Sequence, residues 1–363
     1  MKKILVVGSG DQRNPRTWSG TPRKVIDLLE QRGYEIIDYD IYTPITAFQR
    51  ICLKIFFKLK FVYVRMTAKH PFLYRTCEKS LANKIKQVQP DGVLFISENI
   101  KIDNTQVKDY IYVDALLKPL NAYSPFKERT KKLGFRQFYH FYEDKDIESY
   151  KRADIIFTLN QWTKDFLEHE YKIDSRKIIN IGFGVNLLPL KEDKDYDQNL
   201  LLIVLRKGVE KLKGLYLLLS AFRLLRAKNI DVQLAVVGTQ LEAEPGVTYY
   251  YNQPRNITTE LFKKCTLYTM PALDEPNGIT YLEALANKAP IVGLNRFAFP
   301  EFAGFGEYGF ICDKEDPYEL SALIEKALSD KPLLKKMGED GQKFVMDKFR
   351  WEKTIDNMSK FIK

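Results

Sequence analysis

Cysteine is scarce: Cys52, Cys77, Cys265 and Cys312 are the only four in 363 residues, far apart, with no Cys-x-x-Cys pair and no metal-ligand spacing. That excludes a disulfide scaffold and reads as free, buried thiols in a reducing, cytoplasmic compartment. Long apolar runs are missing as well, so no membrane-spanning helix is expected. The first apolar run, Ile4–Val7, holds four residues, too few for a signal-peptide core. Histidine is limited to His70, His140 and His169, which gives metal chemistry little to work with. No short internal repeat or low-complexity tract is visible, so a solenoid or a disordered chain is not indicated.

What remains has the composition of an ordinary globular protein, 45 % apolar and 29 % charged. A chain of 363 residues exceeds what one hydrophobic core usually supports, so two domains are expected. The formal net charge of +10 favours anionic company: phosphorylated small molecules, nucleic acid or a lipid headgroup surface.

Ile4–Val7, closed by Gly8-Ser-Gly10, reads as a strand buried on both faces of a parallel sheet. Thr21 and Pro22 then look like the N-cap and first position of a helix that ends at Gly33. Further apolar strands near 35–42, 92–97, 110–113, 155–159 and 178–181 alternate with helical patterns at 71–89, 137–152 and 162–171. Leu190–Gln198 carries six charged residues among nine and reads as a linker. A second series follows, with strands near 200–205, 232–237, 267–270, 291–294 and 309–311. Its helices are expected near 214–227, 258–265, 279–288, 317–329 and 332–349. Alternation of this kind implies an α/β fold with a helix-covered parallel sheet in each half.

The chemistry concentrates in Glu275-Pro-Asn277-Gly278-Ile279-Thr280-Tyr-Leu-Glu283. A strand precedes it, Asn277-Gly278 turns the chain, and a helix starts at Ile279. A helix N-terminus offers unpaired amides and the positive end of a dipole, a ready anion site. Two carboxylates bracketing such a turn suit a diphosphate flanked by hydroxyls. A lone glutamate there would more often be a helix cap.

The string resembles the signature of the retaining GT-B glycosyltransferases of family 4, two glutamates separated by seven residues. Gly278, Ala284, Ala286 and Pro290 match its frame, while Asn277 stands for the usual Phe and Lys288 for the usual Gly. The resemblance implies two Rossmann-like domains whose parallel sheets face each other across a cleft. These would be an acceptor-binding domain at 1–189, a nucleotide-sugar-binding domain at 190–348, and a helix at 349–363 crossing back to the first. It implies that Glu275 contacts the donor sugar, that Glu283 holds the nucleotide ribose, and that Asn277, Gly278, Ile279 and Thr280 meet the phosphates and sugar. The family places an Arg and a Lys after the first strand of the second domain. Lys213 matches the lysine, and Arg206 and Lys207 are the candidates for the arginine, one or two residues from the usual spacing. Asp114, at a strand end where many members carry a histidine, would face the donor sugar or the acceptor. Gly10 resembles the phosphate-approaching loop, with Gly20 and Thr21 on the acceptor side. Ala153-Asp154 through Trp162 and Phe349-Arg-Trp351-Glu352 resemble further family segments, with Asn160 as a helix cap.

The expected reaction is sugar transfer from a nucleotide-sugar to a carbohydrate or lipid-linked hydroxyl acceptor, in cell-surface polysaccharide or lipooligosaccharide synthesis. No cofactor and no metal are expected, because a helix terminus plus Lys and Arg can neutralise the leaving diphosphate. Segment 49–66 sets Arg50, Lys54, Lys58 and Arg65 on one side of a helical wheel and apolar residues opposite. That pattern fits peripheral contact with the inner face of an anionic membrane or a helix packed on the sheet, and both readings stay open. Three other functions compete. A nucleotide-sugar epimerase shares the fold. An NAD-dependent oxidoreductase would use Gly8-Ser-Gly10, but Arg13 stands where a third glycine belongs. A nucleic-acid-binding protein would use the positive charge, which is dispersed and carries no recognised motif.

Overall fold

A computed structural model describes residues 1–362 apart from 16, 50, 52–70, 97–99, 103–105, 114–115 and 117–135. The chain divides into two compact units, Met1–Gly182 with Trp351–Lys363, and Phe183–Arg350. Among the described residues no helix is long and apolar enough to cross a membrane. Of segment 49–66, only Gln49 and Ile51 fall within them.

The first unit is built on a parallel sheet ordered β2-β1-β3-β4-β5-β6. Its strands are β1 (Lys3–Gly8), β2 (Glu35–Asp40), β3 (Gly92–Ile96), β4 (Lys108–Val113), β5 (Ile155–Thr158) and β6 (Ile178–Asn180). The apolar runs in β1 and β3 are buried throughout, as strands covered on both faces must be. Helices α1 (Thr21–Gln31), α2 (Pro71–Val88), α3 (Arg136–Arg152) and α4 (Gln161–His169) cover it. On α2, Leu73, Cys77, Leu81 and Ile85 recur at helical spacing and join the core. Asn160 caps α4, its side chain accepting from the Thr163 amide at 2.8 Å. The cap of α1 is Gly20 rather than Thr21. Gly20 sits at φ 84°, a conformation open to glycine, and Thr21 is already helical and buried.

The second unit repeats the plan with a parallel sheet ordered β12-β11-β10-β7-β8-β9. Its strands are β7 (Leu200–Val204), β8 (Gln233–Val237), β9 (Val247–Tyr250), β10 (Leu267–Thr269), β11 (Ile291–Leu294) and β12 (Gly309–Cys312). Its helices are α5 (Leu215–Ala227), α6 (Arg255–Lys264), α7 (Ile279–Ala286), α8 (Phe299–Phe302), α9 (Pro317–Ser329) and α10 (Lys331–Lys348). A last helix, α11 (Trp351–Ser359), belongs to the first unit and packs on α1, where Arg32 pairs with Asp356 at 2.6 Å.

The charged stretch 190–198 is no free linker; it is bound into the second unit. The Leu190 amide donates to the Ala286 carbonyl, and the buried Lys194 ammonium donates to the carbonyls of Phe262 and Lys263 at the end of α6. A cation there satisfies carbonyls that have no intrahelical partner. Cys77, Cys265 and Cys312 are buried and form no disulfide among the described residues.

Candidate active site

From β7 the chain runs outward to β8 and β9, then returns to the other side of β7 as β10, β11 and β12. β7 and β10 are therefore neighbours at the point where the strand order reverses, the place where ligands of open parallel sheets bind, beyond the carboxyl ends of the strands. Residues 205–214 form the loop after β7, and residues 270–278 the loop after β10. The two are laced together: the Leu212 carbonyl accepts from the amides of Leu273 at 2.8 Å and Asp274 at 3.2 Å. Gly214, at φ 74°, makes the close approach possible, since a Cβ there would lie 1.9 Å from the Pro271 carbonyl oxygen.

This lacing delivers Lys213 to Glu275. The Lys213 ammonium donates to Glu275 Oε2 and reaches the Asp274 carbonyl at 3.4 Å. The other oxygen, Oε1, accepts from the Gly278 amide at 2.9 Å and from the Asn277 amide at 3.4 Å. Gly278 caps α7 at φ 56° without a side-chain cap, and Glu275 holds the two amides just ahead of the helix. Burial alone would push the Glu275 carboxyl up. The charge and hydrogen bond of Lys213, with the two amides, outweigh burial and hold it below its ordinary value. Glu275 is therefore an anion pinned between a cation and a helix N-terminus.

The next amides, those of Ile279 and Thr280, lie in the first helical turn, where no preceding carbonyl of the helix reaches them. The start of α7 is braced from below. The Thr280 hydroxyl lies 2.7 Å from the Tyr268 hydroxyl, and the Tyr281 hydroxyl donates to the Met270 carbonyl. Glu283 lies further along α7 with its side chain 10 % exposed, and its only ion-pair partner among the described residues is Arg255, at 3.6 Å. Burial pushes the Glu283 carboxyl up to about 7 against the pull of Arg255. Asp274 behaves similarly: burial, opposed by Lys213 and reinforced by Glu275, pushes it up to about 6.

Four of the expected residues, Lys213, Glu275, Asn277 and Gly278, form one hydrogen-bonded group, continued by Ile279 and Thr280. Glu283 shares the helix but has a separate partner. Arg206 and Lys207 are exposed at the end of β7, outside that group; Lys207 lies 5.3 Å from the centre of the Tyr251 ring. Their loop is pinned by Glu210, which accepts from the Gly208 amide at 2.9 Å and the Thr239 hydroxyl at 2.6 Å. In the first unit the Gly10 amide is committed to Asp40 at 2.9 Å, while Gly20 and Thr21 open α1. Asp114 lies outside the described residues. Sequence reading missed Asp274, Glu210 and Arg255. Asp274 was signalled only by its place beside Glu275; the other two meet their partners only through the fold.

Residues 189–344 match the family of glycosyl transferases group 1. Among characterised relatives, the capsular polysaccharide biosynthesis glycosyltransferase CapM of Staphylococcus aureus is 24 % identical over 68 % of this chain and 72 % of its own length. The serotype-specific mannosyltransferase WbdA of Escherichia coli is 26 % identical over 70 % of this chain, which spans 34 % of that longer protein. The crystal structure of WaaG, a glycosyltransferase involved in lipopolysaccharide biosynthesis, superposes with a TM-score of 0.66 at 15 % identity, covering 100 % of this chain and 99 % of that one. Residues 189–344 thus form a glycosyl transferases group 1 domain, in a chain with the two-sheet α/β fold of the GT-B glycosyltransferases.

Proposed function

We propose that this protein is a retaining glycosyltransferase that moves a sugar from a nucleoside-diphosphate donor to a hydroxyl acceptor in cell-surface polysaccharide or lipooligosaccharide synthesis. One observation carries the reading: the Glu275 carboxylate, kept ionised by Lys213 and two amides, stands at the start of α7 at the switch point of the sheet. The group 1 domain and the likeness to proteins named for capsular polysaccharide and mannosyl transfer support the reaction class and the setting.

In this reading the donor diphosphate rests against Lys213 and the amides of Ile279 and Thr280, with Arg206 and Lys207 adding positive charge. Glu275 accepts hydrogen bonds from the donor sugar and Glu283 from the ribose. The bond between the anomeric carbon and the phosphate oxygen breaks, and the diphosphate leaves with the electron pair. A phosphate oxygen takes the proton of the acceptor hydroxyl, whose oxygen bonds to the anomeric carbon on the face just vacated. Stabilising the leaving charge with preorganised donors is the main electrostatic task, and no metal is required for it. In this proposal Asp114 is a catalytic-site residue that faces the donor sugar or the acceptor, and Gly20 and Thr21 belong to the acceptor side. Contact of 49–66 with anionic lipid is part of it too, since Phe48, just before that segment, and Ile51, within it, stand exposed.

A thermal-shift screen of the full chain against UDP-, GDP-, ADP- and dTDP-sugars identifies the donor, and turnover is then measured with and without EDTA. Glu275→Gln, assayed below its own melting temperature, is expected to keep its fold and lose turnover by about tenfold or more, the scale of one lost transition-state contact. A variant as active as the parent removes Glu275 from the mechanism.

A further inference from the structure

Glu283 poses a problem that the proposed ribose contact does not solve by itself. A carboxylate is a strong acceptor for a diol only while it is ionised, and burial works against ionisation. The Glu283 side chain is 10 % exposed on α7, among apolar neighbours: Leu282, Ala284, Leu285 and Ala286 are all buried. Its backbone carbonyl is occupied by the Asn287 side chain at 2.8 Å, which brings no charge to the carboxyl. From β10 it feels the neutral Tyr268 hydroxyl, and Tyr268 is already bonded to Thr280. The cation is Arg255, the first residue of α6, with one guanidinium nitrogen 3.6 Å from Glu283 Oε1 and a side chain 64 % exposed. A buried acid is thus paired with an arginine that stands mostly in water.

We infer that Arg255 is a positioning residue whose charge shifts Glu283 toward its ionised form, the form that accepts the donor's ribose hydroxyls, in the empty site. The inference rests on the ribose role proposed for Glu283. It accounts for a separation of 3.6 Å, close enough for charge to act and too long for a tight hydrogen bond that ribose would have to displace. Without Arg255, the burial that already pushes Glu283 up to about 7 acts unopposed, and the carboxyl is protonated at neutral pH.

The test is calorimetric titration of the full-length protein with UDP, GDP and ADP, carrying forward the tightest binder across pH 6 to 9. Four proteins are compared: parent, Arg255→Lys, Arg255→Met and Glu283→Gln. Parent affinity should weaken as pH falls through about 7, the value to which burial pushes Glu283. In Arg255→Met that weakening should move to higher pH by roughly one unit, giving about fivefold weaker binding at pH 7 that recovers at pH 9. Arg255→Lys should restore the parent profile. Glu283→Gln should bind weakly and show only the pH dependence of the probe's own terminal phosphate, which is subtracted from the other curves. If Glu283→Gln binds like the parent, the ribose role itself falls. If it binds weakly while Arg255→Met keeps the parent's pH profile, only the role of Arg255 is overturned. Loss of affinity in Arg255→Met that is flat across pH marks a plain contact and overturns the inference as well.

Discussion

At the residue scale the second unit stores its electrostatic tension in one pair, Lys213 and Glu275, each side chain only 20 % exposed. Removing one partner of a largely buried pair strands the other, at a cost of about 3–5 kcal/mol when burial is complete and less here. Lys213→Met is therefore expected to destabilise the protein by roughly 2–3 kcal/mol. Adding Glu275→Gln should recover part of that loss, because the unpaired anion is gone. A double-mutant cycle by urea unfolding measures the coupling, and strictly additive losses would show that the two side chains do not depend on each other. Glu275 has a second duty that its sequence position hides. It holds the turn ahead of α7, so Glu275→Ala should lose about 1 kcal/mol for the two amide hydrogen bonds in addition to the cost of stranding Lys213, read by urea unfolding.

At the scale of elements, the two loops beyond β7 and β10 make one unit of structure, and glycine decides which positions tolerate change. Gly214 has positive φ and a backbone carbonyl where a side chain would begin, whereas Gly208 has positive φ, 91°, with open space around it. Gly208→Ala should cost about 1 kcal/mol from backbone strain alone. Gly214→Ala should cost at least about 3 kcal/mol and pull the Lys213 loop off Pro271, so that donor binding falls with the melting temperature. Equal effects of the two substitutions on melting would contradict this account of the loops.

The same scale shows what could be read in advance. The strand, Asn277-Gly278 turn and helix around Glu275 were legible because each has strong local chemistry: an apolar run, a turn pair, a helical period. β9 was not, since Val-Thr-Tyr-Tyr at the sheet's edge is only partly buried and has no apolar run to announce it. The stretch 190–198 misled for the opposite reason. Its charges look solvated, yet Lys194 is buried because the carbonyls at the end of α6 need donors. Residue preference favours Thr21 as the cap of α1, but a left-handed Gly20 turns the chain one residue earlier. Glu210 and Arg255 act through partners 29 and 28 residues away, Thr239 and Glu283, a relation only the fold creates.

At the scale of the whole molecule, buried acids in both units tilt stability with pH. Burial pushes Asp109 in the first unit up to about 7 despite Arg152 at 2.6 Å, and it pushes Glu283 and Asp274 in the second to about 7 and about 6. Each binds its proton more tightly folded than unfolded, where carboxyls titrate near 4. Between pH 4 and 7 the native state therefore holds more of these protons, and their contribution to stability declines as pH rises through that range. Melting of the full chain is expected to be higher at pH 5.5 than at pH 8, with Asp109→Asn and Glu283→Gln each flattening part of the slope. A melting temperature that climbs steadily from pH 5.5 to 8 would contradict the raised values.

The first unit is not finished by its own stretch of chain: α11 returns from beyond residue 350 to cover α1 with Trp351, Thr354, Ile355 and Met358. On the ribosome this imposes a delay. At about 5–20 residues per second, roughly 10–40 seconds pass between emergence of the first unit's sheet and arrival of the helix that seals it. Through that interval the apolar stripe of α1 is a vacancy that a chaperone, or another nascent chain, can fill.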